Sequence, residues 1–247
     1  MDQTLYQMAS VSKMVTAWGV MKLVEEGTIA LDKPANLQLL IEEVTQQSFS
    51  DYMAKAILEP LGMRESSFDW EAIAASGRTD KLATSFDEKL QPSPHRQYTA
   101  KAAASLYATP QDMARFVQAY SQKNLVLKQE TLKQMMNPQP GAHQDWGLGH
   151  TLYVANGADQ YTVGHDGGNL PALGHTVRVN PATGNGIVLL ISGNLELASQ
   201  LGDDWVYWET GKLPMNAKLR ILGSRLVPAL VGIGLGVLAI AIRAFMK

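Results

Sequence analysis

The chain has 247 residues, of which 46% are hydrophobic, and its 21 Lys and Arg against 23 Asp and Glu give a formal net charge of −2. This composition excludes a mainly disordered chain and offers no polycationic surface, so we expect no nucleic-acid partner. The absence of cysteine excludes disulfides, thiolate metal sites and a cysteine nucleophile.

The first half of the chain is predicted to be mainly helical. Residues Thr4–Ala9 are short and mixed and are predicted to end a strand, and apolar residues at helical spacing then predict a helix over Ser10–Glu26, stopped by Gly27. Residues 64–104 are predicted to be irregular. Four further helices are predicted over Leu37–Thr45, Phe49–Leu58, Pro110 to about Tyr120, where Thr109 is the cap, and Lys128–Met136.

The period of the apolar residues changes after Pro140, where β-strands are predicted. The four predicted strands are Trp146–Ala155, Gln160–His165, Leu173–Asn180 and Gly186–Ser192, and a helix over Leu195–Trp208 follows them. Because the connections between successive strands are short, the sheet should be antiparallel. The sequence therefore predicts an α+β fold, an α/β sandwich in which an antiparallel sheet is flanked by helices.

The C-terminal segment is apolar and uncharged from Leu226 to Ile242, between Arg225 and Arg243. With those flanking arginines it approaches the ~20 residues that span a bilayer, and its glycines are typical of membrane helices. The alternative is a buried core helix. We predict a globular domain over 1–211, a basic juxtamembrane linker over 212–225 and one transmembrane helix over 226–243, which makes the membrane a partner.

Ser10 and Lys13 form the first candidate site. Ser10 is placed at a helix N-terminus, where the helix dipole stabilises negative charge, and Lys13 follows three residues later on the same face. A buried lysine has a lowered pKa, and a neutral amine beside a hydroxyl is a competent general base. The alternative is that Ser10 is only a helix cap, since Ser-x-x-Lys also occurs by chance.

The second candidate is the segment Gly164–Asn169, which contains His165, Asp166, Gly167 and Gly168. We predict that it ends a strand, where glycines let a substrate approach the backbone and offer N–H groups to an oxyanion. The alternative is an ordinary hairpin turn, because Asp-Gly-Gly is strong turn chemistry. The other histidines, His95, His143, His150 and His175, show no ligand spacing, so we interpret them as surface or structural residues and predict no metal and no cofactor.

Together these two motifs resemble those of the serine β-lactamase and penicillin-binding protein family, most closely its class C-like serine hydrolase and esterase branch. The resemblance covers most of residues 5 to 195, through the blocks MASVSKMVTAWGVMKLVEEGTIALDKP, LLIEEVTQQSFSDYMAKAILEPLGM, ATPQDMARF, WGLG and GHDGGNLPALGHTVRVNPATGNGIVLLISGN. It implies a serine β-lactamase/DD-peptidase-like fold and a hydrolase that forms an acyl-enzyme on an amide, ester or β-lactam carbonyl.

The resemblance also implies a role for each motif residue. Ser10 is similar to the acylated nucleophile and Lys13 to its base partner, while His165, Asp166 and Gly167 occupy the place of the family's Lys-Thr-Gly strand. The backbone N–H groups of Ser10 and Gly168 would form the oxyanion hole. Because His165 replaces the Lys that many members carry, a fixed positive charge for a substrate carboxylate is weakened, which favours an esterase or peptidase-like hydrolase over a dedicated β-lactamase.

Two elements of the family pattern are missing from the sequence. The Tyr-x-Asn motif, expected just before Ala35, is absent, as are the strands that usually precede the nucleophile helix. In the family the Tyr hydroxyl helps to move the proton, so its loss threatens turnover more than acylation. The alternative function is therefore an impaired member, or a fragment, that only binds a peptide or a partner.

The side of the membrane is predicted from two conflicting signals. Lys and Arg are more frequent before the predicted span than after it, which favours a cytoplasmic domain. The family usually acts outside the cytoplasm on cell-wall material. We expect a membrane-anchored, extracytoplasmic hydrolase that acts on a small molecule or a peptide: a cell-wall peptide, a β-lactam or an ester.

Overall fold

A helix that is buried on nearly all sides, α1 (Ser12–Glu25), organises the structure. The structure is a computed structural model that describes residues 3–32, 35–87, 89–121, 124–141, 143–157, 160–169 and 173–224. A 3-10 turn over Ala9–Val11 precedes α1, so the α-helix starts two residues later than the spacing predicts, because Ala9–Val11 are wound more tightly. Gly27 ends the helix at φ 72°, which confirms the predicted C-terminal glycine.

Short helices and two small two-stranded sheets surround α1. The predicted bounds of Leu37–Thr45 are confirmed, whereas the next predicted helix is split into an α-helical and a π-helical half (Ala54–Leu58). Residues 64–104 also contain two short helices and a hairpin that the sequence analysis missed. The helices are α2 (Leu37–Thr45), α3 (Phe49–Met53), α4 (Trp70–Ala75), α5 (Lys101–Ala104), α6 (Pro110–Gln118) and α7 (Gln129–Met135), and the strands are β1 (Tyr6–Gln7), β2 (Ser85–Phe86), β3 (Pro92–Ser93) and β4 (Tyr107–Ala108).

The main sheet is antiparallel, has the order β5-β6-β7-β8 and confirms the predicted topology. Its strands are β5 (Thr151–Ala155), β6 (Tyr161–Asn169), β7 (Leu173–Asn180) and β8 (Asn185–Ser192), and helix α8 (Leu197–Thr210) follows. The predicted first strand began too early, because Trp146 makes only an isolated bridge to Thr151. The hydrophobic core lies between α1, α6 and one face of this sheet, and α8 covers the other face.

Strand β6 is longer than predicted. The sequence pattern predicts that the strand ends at His165, with a hairpin turn at Asp166-Gly167-Gly168 as the alternative, but the ladder with β7 continues to the pair Asn169–Leu173. Glycine is needed here for close packing rather than for a turn, since a Cβ on Gly167 would lie 2.4 Å from the carbonyl oxygen of Met8. The turn interpretation is therefore wrong.

The C-terminal part of the described chain continues as helix. Residues 215–224, within the predicted linker, are helical, and Arg220 pairs with Asp203 of α8 at 3.2 Å. The predicted membrane span over 226–243 lies outside the described residues. In the part of the chain that the structure describes, no helix is long and apolar enough to cross a bilayer.

Candidate active site

Ser10 lies in the tight turn that leads into α1. The residue before it, Ala9, is buried and has φ 46°, a left-handed conformation that is uncommon for a residue other than glycine. The turn is fixed on both sides: β1 pairs with β4 before it, and the Ser12 hydroxyl accepts a hydrogen bond from the Leu106 N–H at 3.0 Å after it. Backbone strain of this kind persists only where surrounding contacts hold it, and it is typical of functional sites.

Lys13 contacts Ser10 directly. Its Nζ lies 2.6 Å from Ser10 Oγ and 3.2 Å from the carbonyl oxygen of Ala103. Burial lowers the pKa of Lys13 below that of a solvated lysine. A larger neutral fraction lets the amine accept the Ser10 proton, so the predicted i, i+3 pair has the geometry of a nucleophile and its base.

Segment 102–106 runs along α1 and fixes the other side of Lys13. The Thr16 hydroxyl donates to the carbonyl oxygen of Ala102 at 2.7 Å, one turn along the helix from the Lys13–Ala103 contact. This role of Ala103 could not be predicted from the sequence, because the acceptor is a backbone carbonyl, which every residue type carries.

Strand β6 approaches the turn that carries Ser10. Gly167 packs against Met8 O and lies close to Val11, so a side chain there would collide with the turn. Among the described residues, β5 pairs with β6 only from Tyr161 to Gly164, whereas the part from His165 to Asn169 pairs with β7 alone. Within the described residues, no strand is paired with the edge of β6 beside Ser10, and an edge of this kind can accept an added strand.

His165 lies on the same face of β6 as Gly167 and is almost fully buried. Its Nδ1–H donates to the carbonyl oxygen of Asp166 at 2.6 Å, which leaves Nε2 as the acceptor nitrogen of a neutral ring. Burial lowers the pKa of His165, and the positive charge of Lys13 lowers it further. The ring packs edge-on against Trp146 with centroids 5.6 Å apart, a contact that the sequence analysis did not foresee. His165 is therefore neutral near pH 7.

The Asp166 side chain points to the opposite face of the sheet, because side chains alternate along a strand. Its carboxylate pairs with the fully buried Arg178 at 2.7 Å and accepts a hydrogen bond from Thr176. Burial alone would raise the pKa of Asp166, but the Arg178 charge and these hydrogen bonds lower it. The structure does not bring this carboxylate to Ser10, and the predicted place of Asp166 in a substrate-binding strand stays a prediction.

Gly168 lies on the same face of β6 as Asp166, and a Cβ added to it would lie 2.7 Å from Leu195 Cδ1. Its predicted role concerns only its backbone N–H and stays a prediction. Arg178 was not predicted to be near the site. It forms an ion pair with Asp166 of β6, and it lies 3.7 Å from the carboxylate of Asp203 in α8. The burial of Arg178 could not be predicted from the sequence, because every residue of β7 is buried and the strand shows no alternation of buried and exposed positions.

Three tyrosine hydroxyls have partners away from the Ser10–Lys13 pair. Tyr52 donates to Gly19 O, Tyr107 contacts Gln7 and His95, and Tyr120 contacts Trp18 and His150. These three therefore do not replace the hydroxyl of the missing Tyr-x-Asn motif. As for metals, no group of three or more His, Asp or Glu among the described residues is arranged to hold an ion.

Comparison with protein families gives one match, to the family described as Beta-lactamase, over residues 2–39 and 35–212. The two matched pieces meet at the start of α2, where the Tyr-x-Asn motif was expected. Among curated proteins, none matches the chain significantly.

Solved structures give the same fold. The octameric penicillin-binding protein homologue from Pyrococcus abyssi superposes with a TM-score of 0.70 at 20% identity, over 87% of this chain and 68% of that one. The D-alanine carboxypeptidase AmpC from Burkholderia cenocepacia gives 0.67 at 17% identity, over 91% and 85%. A class C beta-lactamase in complex with cefoxitin gives 0.66 at 16% identity, over 81% and 82%.

Proposed function

Because the chain belongs to the beta-lactamase family, we propose that it is a serine hydrolase that forms an acyl-enzyme on Ser10. The observation that carries the proposal is the 2.6 Å contact between Ser10 Oγ and the half-buried Lys13 Nζ. The penicillin-binding and carboxypeptidase names of the structural neighbours point to the same chemistry.

Acylation begins when neutral Lys13 takes the Ser10 proton while Oγ attacks the substrate carbonyl carbon. The C=O π electrons move to oxygen, and the backbone N–H groups of Ser10 and Gly168 hold that oxyanion. The intermediate collapses to the acyl-enzyme, the bond to the leaving group breaks, and Lys13 returns its proton to the leaving atom. Water then hydrolyses the ester on Ser10 with Lys13 again as the base.

The substrate class follows from His165. A neutral imidazole offers no fixed charge to a substrate carboxylate, in contrast to a lysine at that position. An ester or amide without a carboxylate beside the scissile bond is therefore preferred over a β-lactam. A free edge on β6 suits an extended substrate backbone.

Labelling tests the nucleophile. The full chain is treated with a fluorophosphonate and, separately, with penicillin, and its intact mass is measured. We expect one adduct that maps to Ser10, is lost in Ser10→Ala and persists in Ser121→Ala, which changes an exposed serine. In Lys13→Met the labelling rate should fall by about 10²–10⁴, the usual contribution of a general base.

A second candidate function, binding without catalysis, is favoured by the absence of the Tyr-x-Asn motif. It predicts no adduct on a chain that still melts cooperatively. Under the hydrolase proposal the missing hydroxyl slows deacylation, so an ester should release one equivalent of leaving group rapidly and then react slowly. An adduct that survives in Ser10→Ala would contradict the assignment of the nucleophile.

The membrane part of the proposal rests on the sequence of residues 226–243, and the family tendency supports an extracytoplasmic hydrolase domain. Fractionation should recover the full chain with membranes after a carbonate wash, and removal of 226–247 should release it. In intact cells, external protease should digest the domain over 1–211. Protection in intact cells with digestion after lysis would reverse the orientation.

A further inference from the structure

A large apolar pocket lies next to Lys13, and the residues that line it do not include any described residue of β6. Its volume is about 730 Å³, within the range of small-molecule sites, and its walls are mostly aliphatic. One wall is a stripe of α1, formed by Ala17, Val20 and Met21, and the facing wall includes Leu148. The acylation steps proposed for Ser10 and Lys13 do not use this pocket.

The pocket reaches the side chain that contacts the proposed nucleophile. Lys13 lines its inner end and contacts Ser10 Oγ at 2.6 Å, and Ala103, whose carbonyl accepts from Lys13, lines the same end. An acyl group bonded to Ser10 can therefore extend past Lys13 into apolar surroundings without leaving the site.

The pocket extends along α1 from Lys13. From Lys13 to Val20 the stripe covers two turns of α1, about 10 Å at 1.5 Å per residue. At the inner end, loop 148–149 packs directly on the helix, where a Cβ on Gly149 would lie 2.4 Å from that of Ala17.

Leu37 and Leu39 of α2 also line the pocket and are 43% and 61% exposed, so the pocket meets solvent on this side. This is where the two matched pieces of the family meet and where the Tyr-x-Asn segment is missing from the sequence. The chain thus has an apolar opening at the point where its sequence departs from the family pattern.

We propose that this pocket is an acyl-chain subsite, so that the preferred substrate is an ester whose acyl part is an uncharged aliphatic chain. This inference rests on the proposed function, since it needs acylation of Ser10. The occupant is the substrate's own chain, because the pocket is concave, apolar and joined to the nucleophile at one end.

The test compares the p-nitrophenyl esters of acetate, butyrate, hexanoate, octanoate and dodecanoate on the full chain. The quantity measured is the second-order rate constant for acylation in the first turnover. Each added methylene should raise that constant about fourfold until the pocket is filled, after which it should level off. Val20→Phe fills part of the pocket and should lower the octanoate rate at least tenfold, and by a much larger factor than the acetate rate. Val24→Phe, one turn further along α1 and outside the pocket, is the matched control.

Leu39→Asp is a second variant in case Val20→Phe does not fold, because Leu39 is exposed, and it should reduce the long-chain rates more than the acetate rate. A rate that does not vary with chain length, on a chain whose Ser10 is labelled, overturns the subsite and leaves the hydrolase proposal standing. No reaction with any ester and no label on Ser10 overturns both. A dimer that Leu39→Asp dissociates would assign the pocket to a second copy of the chain and also overturn the subsite.

Discussion

Lowering the pH from 7 to 5 should destabilise the fold, because two imidazoles are buried in the neutral form. His150 donates from Nδ1 to Leu148 O at 2.7 Å and accepts at Nε2 from the Tyr120 hydroxyl at 2.5 Å, and that hydroxyl in turn accepts from Trp18 at 3.1 Å. Protonation of His150 would remove the acceptor that Tyr120 requires. His175 donates to Gln7 O at 3.1 Å and has a buried Nδ1 without a partner among the described residues.

The sign and the size follow from the two pKa values. Burial lowers the pKa of His150 and of His175 to about 4, against roughly 6.5 in an unfolded chain. Between those values the unfolded chain binds protons that the native chain does not, so the free energy of unfolding falls as the pH falls. From pH 7 to pH 5 each histidine should remove about 2 kcal/mol, and the pair about 4 kcal/mol.

Urea denaturation of the full chain at pH 7 and pH 5 measures this loss. His150→Gln and His175→Gln should each reduce the difference between the two pH values by about 2 kcal/mol, whatever their effect on stability at pH 7. His143→Gln is the control, because its side chain is 76% exposed. If a buried-histidine variant keeps the whole pH dependence of the unchanged chain, that histidine is not held neutral in the native state and the argument fails.

Two further substitutions test the support of the site. Gly167→Ala places a Cβ 2.4 Å from the backbone at Met8, so β6 must move away from the serine turn, and the labelling rate should fall about 100-fold. Gly223→Ala is the control and should label normally, because its methyl group would meet no atom of the described residues within 4 Å. A labelling rate that is unchanged in both variants would exclude tight packing between Gly167 and the serine turn. Arg178→Met leaves the carboxylates of Asp166 and Asp203 without their buried cation and should cost about 3–5 kcal/mol in urea denaturation. A loss below about 1 kcal/mol, similar to that of the exposed Arg64→Met, would mean that the buried cation does not stabilise the fold.

Much of the fold was predictable because its signals are local. The bounds of α2 are confirmed, and the structure bears out the Thr109 cap, whose hydroxyl accepts from the Asp112 N–H at 3.2 Å. The antiparallel order of the sheet followed from the short connections between strands. The interpretation of His150 and His175 as structural residues also fits their burial.

The errors fall where tertiary packing overrides local preference. Asp-Gly-Gly is a turn signal, yet at Asp166–Gly168 it continues a strand, because a neighbouring turn packs against Gly167 and Leu195 against Gly168. The side-chain period of a strand alone does not say which face is the site, so the position of Asp166 on the α8 side could not be predicted. The burial of Arg178 could not be predicted either, since β7 is covered on both faces and its buried and exposed positions do not alternate.

The sequence by itself predicted that Ser10 and Lys13 share a face, because residues three apart at the start of a helix lie on the same side of it. It also determined the family to which those residues belong. Only the tertiary structure decided the burial that lowers the pKa of Lys13, the approach of Gly167 to the serine turn, and the apolar pocket beside Lys13. Each of these depends on segments that are distant in sequence, and their separation in space is set by packing of the whole core rather than by local spacing.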